Sequence, residues 1–173
     1  MSPLSKLTQQ TQLACVALVT LTLWSGSALA NLKIFACEPE WGALAKEIVG
    51  SKADIYVATG PDQDAHYIRA RPSLIAKIRR ANLVFCTGAS LEAGWLPLLL
   101  QRGAKAEVQP GKPGNIMAAD FVNTLEKPLV LDRSLGDIHP EGNPHVHLDP
   151  RNISIIAKIL SKRLSIIDPS NSA

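Results

Sequence analysis

Residues 32–58 read LKIFACEPEWGALAKEIVGSKADIYVA. Leu32 to Ala36 is a short apolar run. From Glu38 to Val49 the period changes: Trp41, Leu44, Ala45 and Ile48 recur at helical spacing, and Gly50 follows as a stop. Asp54 to Ala58 alternates again. A strand, a helix and a second strand in this order predict a right-handed βαβ crossover with parallel strands.

The same grammar continues downstream. After a polar loop, Pro72 opens a helix with Leu74, Ile75 and Ile78 on its inner face; proline suits a first turn because its missing amide has no helical partner there. Leu83 to Cys86 predicts a third strand, ended by Thr87-Gly88, and Leu91 to Arg102 a third helix closed by Gly103. A fourth strand is expected near Lys105 to Gln109, ahead of the turn-rich Pro110-Gly111-Lys112-Pro113-Gly114, and a fifth at Leu129 to Leu131. The fold class that follows is α/β, with a mostly parallel sheet covered by helices on both faces and sites in the loops at the carboxyl ends of the strands. The last element, about Pro150 to Ile167, carries Ile153, Ile156, Ala157, Leu160, Leu164 and Ile167 as one apolar stripe, with Lys158, Lys162 and Arg163 opposite. Asp149 is its natural N-cap.

Upstream of this core, the chain opens on a polar stretch with one charge, Lys6. An apolar run from Leu13 to Trp24 and the small-residue tripeptide Ala28-Leu29-Ala30 follow. That order is a secretory signal peptide, 1–30, and the run of about twelve residues is too short to span a bilayer. Lipid attachment at Cys15 is disfavoured, because Cys15 precedes most of the apolar run. The exported product is expected to begin at Asn31 and to work in the periplasm.

Charge excludes one class of partner. Lys6 is the leader's one charge, so the 18 basic residues of the chain become 17 against 15 acidic. There is no basic block, and aromatic residues are few, so nucleic acid is not an expected partner. Cys37 and Cys86 remain after cleavage, at the ends of two apolar runs. In an oxidising compartment they can form a bridge or pack as buried thiols. A thiol-redox role would need the pair within bridging distance, and they form no CxxC motif.

All four histidines lie in the exported part. His66 sits in the loop after the second strand. His139, His145 and His147 fall within IHPEGNPHVHLDP, and if the backbone at Val146 is extended, His145 and His147 point the same way. Imidazole is the common nitrogen ligand for zinc, with carboxylates as further donors. A lone loop histidine is more often solvated; the cluster is what favours a metal. An exported zinc hydrolase is the competing reading, with Glu141 or Asp64 as general base, but neither HExxH nor GxSxG is present.

The stretches KIFACEPEWGALAKEIVG, AHYIRARPSLIAKIRRANLVFCTGASLEAGWLPLLL and GNPHVHLDPRN resemble the solute-binding proteins of zinc and manganese ABC transporters, in order and spacing from Asn31 to Asp168. That resemblance implies a non-enzymatic carrier with two α/β lobes joined by a backbone helix, the metal lying in the cleft between them. It implies His66, ahead of Pro72-Ser73, and His145, in the NPHVHLDP motif, as ligands from the first lobe. Asn143 stands where the family usually has Asp, and His147 where many members have an aromatic residue. His147 is therefore an alternative or additional ligand, and His139 a lesser candidate. The implied cargo is Zn²⁺, with Mn²⁺ as the other option. The implied partner is an inner-membrane ABC permease with its ATPase, served by a monomer. Residues 31–149 would be the amino-terminal lobe and 150–173 the start of the interlobe helix, with the carboxy-terminal lobe absent.

Overall fold

A computed structural model describes residues 31–172 other than 133 and 135. The expected leader and Cys15 lie outside the described residues. Four strands, β1 (Leu32–Ala36), β2 (Ala53–Val57), β3 (Leu83–Cys86) and β4 (Asn115–Met117), form one parallel sheet in the order β2-β1-β3-β4. The helices are α1 (Pro39–Val49), α2 (Pro72–Ile78), α3 (Leu96–Gly103) and α4 (Pro150–Ile167). Among the described residues no helix is long and apolar enough to cross a membrane.

Side chains along a strand alternate between faces, and here both sets are buried. Ile34, Ala36, Leu83, Phe85 and Ile116 pack with Trp41 of α1 and with Ile156 and Leu160 of α4. Phe35, Cys37, Val84 and Cys86 face the other way, onto Leu74 and Ile78 of α2 and Leu99 of α3. Continuous apolar strands are what a sheet covered on both faces requires. Each fully buried large aliphatic or aromatic side chain contributes about 1.5–3 kcal/mol of transfer free energy. The apolar stripe of α4 is spent on this core: Ile156 and Leu160 are fully buried, with Ile153, Leu164 and Ile167 against them. Asp149 caps α4 as expected, its carboxylate accepting from the Arg151 amide at 2.8 Å.

Three expectations need correction. The fourth strand is not at 105–109: Ala106–Val108 is a single 3₁₀ turn that buries Val108 alone. The strand comes after the glycine-proline turn, where Asn115, Ile116 and Met117 pair with Val84, Phe85 and Cys86. Residues 129–131 form no strand; Leu129, Val130 and Leu131 stand exposed, paired with nothing in the sheet. The third helix begins at Leu96 rather than Leu91, because Pro97 takes its first turn and residues 89–95 are used in turns.

Cys37 and Cys86 are joined as a disulfide, their Cα atoms 4.8 Å apart. Both are fully buried at the carboxyl ends of the neighbouring strands β1 and β3.

Candidate metal centre

The loops at the carboxyl end of the sheet carry the histidines. After β2, Asp64 caps a 3₁₀ turn over Ala65–Tyr67, its Oδ1 accepting from the His66 amide at 2.9 Å. The same oxygen accepts from His66 Nδ1 at 2.6 Å. These two hydrogen bonds, the backbone one first, hold the Asp64 carboxyl below the usual carboxylate range, so it is ionised. His66 Nδ1 therefore carries a hydrogen, and in the neutral ring Nε2 presents a lone pair. The buried Trp95 anchors the loop, its indole N–H donating to the Ala65 carbonyl at 2.8 Å.

After β3 the backbone turns sharply. Gly88, Ala89 and Ser90 all have positive φ, at 78°, 48° and 62°. Two of the three are not glycine, and such strain persists only where the surroundings enforce it. Here a buried carboxylate does so: Glu92 accepts from the Thr87 and Gly88 amides at 2.7 and 3.0 Å. Gly88 is required by space as well, since a Cβ there would lie 2.9 Å from Met117 Cβ. Behind it, Thr87 Oγ1 accepts from Trp41 Nε1 at 2.7 Å and donates to Glu38 at 3.2 Å. Burial, and then the charge of Glu92, push the Glu38 carboxyl up to about 10. Glu38 is thus neutral at pH 7, and burial pushes Glu92 upward as well.

The strained turn has a purpose at its tip. The Ala89 carbonyl accepts from His139 Nδ1 at 2.8 Å. A carbonyl only accepts, so the His139 hydrogen is on Nδ1 and its Nε2 also offers a lone pair. That Nε2 lies 3.0 Å from Nε2 of His66. In the neutral rings two lone pairs meet at this distance, and a cation between them, a metal ion or a proton, removes the conflict. Zinc–nitrogen bonds of about 2.0–2.1 Å place two ligands of a tetrahedral site roughly 3.3 Å apart, so a small opening of the pair admits the ion. An acceptor behind each Nδ1 is the outer-shell arrangement of metal-bound histidine.

His145 lines the same cavity, of about 380 Å³, together with Asp137, Glu126 and Asn143. The His145 ring is exposed. Tyr67 donates to Asp137 at 2.7 Å, tying the His66 loop to the His139 loop. Asn143, where the resemblance leads one to expect Asp, does what an aspartate would do at this turn: its Oδ1 accepts from the His145 amide at 2.9 Å. Its amide nitrogen also donates to Glu126 at 2.7 Å.

His147 is not in this cavity. The backbone at Val146 is not extended but a 3₁₀ turn over Val146–Leu148, with Val146 buried as its anchor. His145 and His147 consequently diverge, their rings 5.9 Å apart and nearly perpendicular. His147 turns to the edge of Trp41 and to Glu40. The structure thus brings His66 and His139 into contact, sets His145 on the same wall, and sends His147 elsewhere. Asp64 and the Ala89 carbonyl are the participants not named from sequence as orienting groups. The D-x-H spacing of an Asx turn was a legible sign of the first; nothing in the sequence marks the second.

Cys37, Cys86 and Glu92 also place donor atoms within 4.8 Å of one another. The bridge occupies both sulfurs. The two carboxylates considered as hydrolytic bases are engaged too, Asp64 with His66 and Glu141 with the Ser90 hydroxyl at 2.8 Å.

Residues 34–173 match the family described as zinc-uptake complex component A, periplasmic. The chain belongs to this family. It is a family of solute-binding components rather than enzymes, as the resemblance implied. Similar curated proteins include the manganese ABC transporter substrate-binding lipoproteins PsaA of Streptococcus mitis, 28% identical over 82% of this chain and 43% of the relative, and of Streptococcus anginosus, 27% identical over 92% and 50%. The chain spans about half the length of the curated relatives it matches. Among solved structures, a Mn-bound periplasmic metal binding protein from Candidatus Liberibacter asiaticus superposes with a TM-score of 0.64 at 20% identity, over 82% of this chain and 48% of that one. The metal-dependent lipoprotein YcdH from Bacillus subtilis gives 0.63 at 21%, over 82% and 47%. These likenesses support the α/β fold.

Proposed function

We propose that this chain captures a divalent metal ion, zinc in the first place, in the periplasm and hands it to an ABC permease driven by its ATPase. The observation that carries the reading is the facing pair of Nε2 lone pairs on His66 and His139, with His145 beside them. Three imidazoles make a nitrogen-rich donor set, which suits zinc better than manganese. Relatives named for manganese make Mn²⁺ the competitor to test. Residues 31–149 act as the amino-terminal lobe of the family's metal protein, residues 150–167 as the helix leading out of it, and residues 1–30 as the export signal. The carrier works as a monomer.

Isothermal titration of Zn²⁺ and Mn²⁺ into the full chain tests the site. The expected result is tighter Zn²⁺ binding, lost in His66→Ala and in His139→Ala. Unchanged Zn²⁺ affinity in both variants would reject the assignment, and preference for Mn²⁺ would reject the choice of metal.

A further inference from the structure

We propose that the end of the sheet opposite the metal centre is a docking face for the anionic headgroups of a phospholipid bilayer. Every strand of the parallel sheet begins at that end, and every covering helix finishes there. The strand starts and the loops leading into them supply Lys33, Lys52, Arg79, Arg80, Lys105 and Lys112. The last turns of α1, α2 and α3 add Lys46, Lys77 and Arg102. All but Lys33 are exposed. The carboxylates at this end are Glu47, Asp54, Glu107 and Asp168, and among the described residues none of them forms an ion pair with these cations. The carboxyl ends of the helices add about half a negative charge each, which leaves a clear positive surplus. No basic block shows in the sequence because these residues are spread from Lys33 to Lys112; the topology gathers them.

The middle of this face is held in shape. Lys33, Lys77 and Arg80 border a cavity of about 220 Å³ with Asp54 and Tyr56. The Arg80 amide donates to the Lys77 carbonyl at 3.1 Å, and the Lys33 amide to Asn82 Oδ1 at 3.0 Å, which fixes the end of α2 against the start of β1. Lys77 Nζ stands 4.8 Å from the centroid of the Tyr56 ring, a cation–π contact, and that ring packs in turn on Phe35. Two observations choose a bilayer as the partner. The cations lie across the starts of all four strands instead of converging on one point, which suits a plane of phosphates better than a single anion. Asn31 also stands at this end, ahead of β1, so the export segment joins the fold beside the basic face; this second point rests on the export reading. β1 is five residues long and spans about 16 Å, so a docked chain keeps His66 and His139 turned away from the bilayer, where ions arrive.

Co-sedimentation of the full chain with vesicles of phosphatidylglycerol and phosphatidylcholine, against phosphatidylcholine alone, tests the face. Binding through the apolar run at 13–24 would be the same for both kinds of vesicle, so the difference between them is the readout. The wild type should prefer the anionic vesicles and lose that preference in high salt. Each Lys or Arg at an anionic surface strengthens binding roughly fivefold, so Lys77→Gln/Arg79→Gln/Arg80→Gln should weaken it roughly 100-fold. Arg69→Gln/Arg71→Gln/Lys127→Gln removes the same charge from loops at the opposite end and should bind as the wild type does. Equal binding of the wild type to both vesicles overturns the proposal, as does equal weakening in the two triple variants, which would make net charge and not this face the cause. The salt dependence of the wild type needs no variant to fold. The metal assignment is judged apart from this, since His66→Ala/His139→Ala should lose Zn²⁺ and keep its preference for anionic vesicles.

Discussion

The Nε2 atoms of His66 and His139 face each other at 3.0 Å while both Nδ1 hydrogens are already given to fixed acceptors, the Asp64 carboxylate and the Ala89 carbonyl. Neither ring can relieve the contact by exchanging tautomers, because each would lose a hydrogen bond by doing so. His139→Ala should therefore weaken Zn²⁺ binding as severely as His66→Ala. Losing an outer-shell partner costs roughly 10–100-fold in affinity, and losing a ligand should cost more. Titration of the two variants side by side is the check; a His139→Ala chain with wild-type affinity would make His139 a bystander. Acid should also release the metal, since a ligand imidazole must be neutral to bind.

Asp64 touches no metal in this arrangement; it positions His66. Asp64→Ala should lower Zn²⁺ affinity by roughly 10–100-fold and leave the urea midpoint of the metal-free chain nearly unchanged, since Asp64 is an exposed loop residue. A variant that loses stability but keeps its affinity would show that the aspartate serves the loop and not the ligand.

Much of this architecture is legible in the residues, and the failures have physical causes. The strands at 32–36, 53–57 and 83–86 show because each is a run of apolar residues with a helix period beside it. β4 is three residues long, too short for any alternation to appear, and the fourth strand was expected at 105–109, before the glycine-proline turn, where the chain makes a single 3₁₀ turn instead. Pro97 was the available sign that the third helix starts late. At the site, His66 is visible from its loop. His139 is not distinguished from its neighbours by spacing, because its partner comes from a turn fifty residues away whose left-handed residues are two ordinary side chains, Ala89 and Ser90. His145 and His147 read as one pair because H-x-H implies a common side only on an extended backbone, and the turn at Val146 separates them.

The Cys37–Cys86 bridge joins strands that already pair, across a separation of 49 residues. Removing it should cost roughly 2–5 kcal/mol, mainly by releasing a long loop in the unfolded chain. Urea denaturation of Cys37→Ser/Cys86→Ser against the wild type should show a lower midpoint, with the far-ultraviolet circular dichroism of the folded state unchanged. Equal midpoints would mean that the packed strand ends confer that stability without the bond.

Glu38 and Glu92 make stability depend on pH in a direction opposite to that of most surface carboxylates. Burial, followed by the charge of Glu92, raises Glu38 from 4.5 to about 10. Above pH 4.5 the unfolded chain has lost this proton while the folded chain keeps it. Unfolding then releases a proton, so the stability present below pH 4.5 is lost as pH rises toward about 10. The slope from one such group is at most about 1.4 kcal/mol per pH unit. Glu92, raised as well, adds to the same side. Glu38→Gln keeps the size of the side chain and removes the titration. It should match the wild type near pH 5 and become the more stable protein as pH rises to 8.5. Urea midpoints at these two pH values decide the matter: parallel shifts in both proteins would mean that Glu38 is ionised in the folded chain, and that the carboxyl pair behind the turn aiming the Ala89 carbonyl does not set the pH dependence of stability.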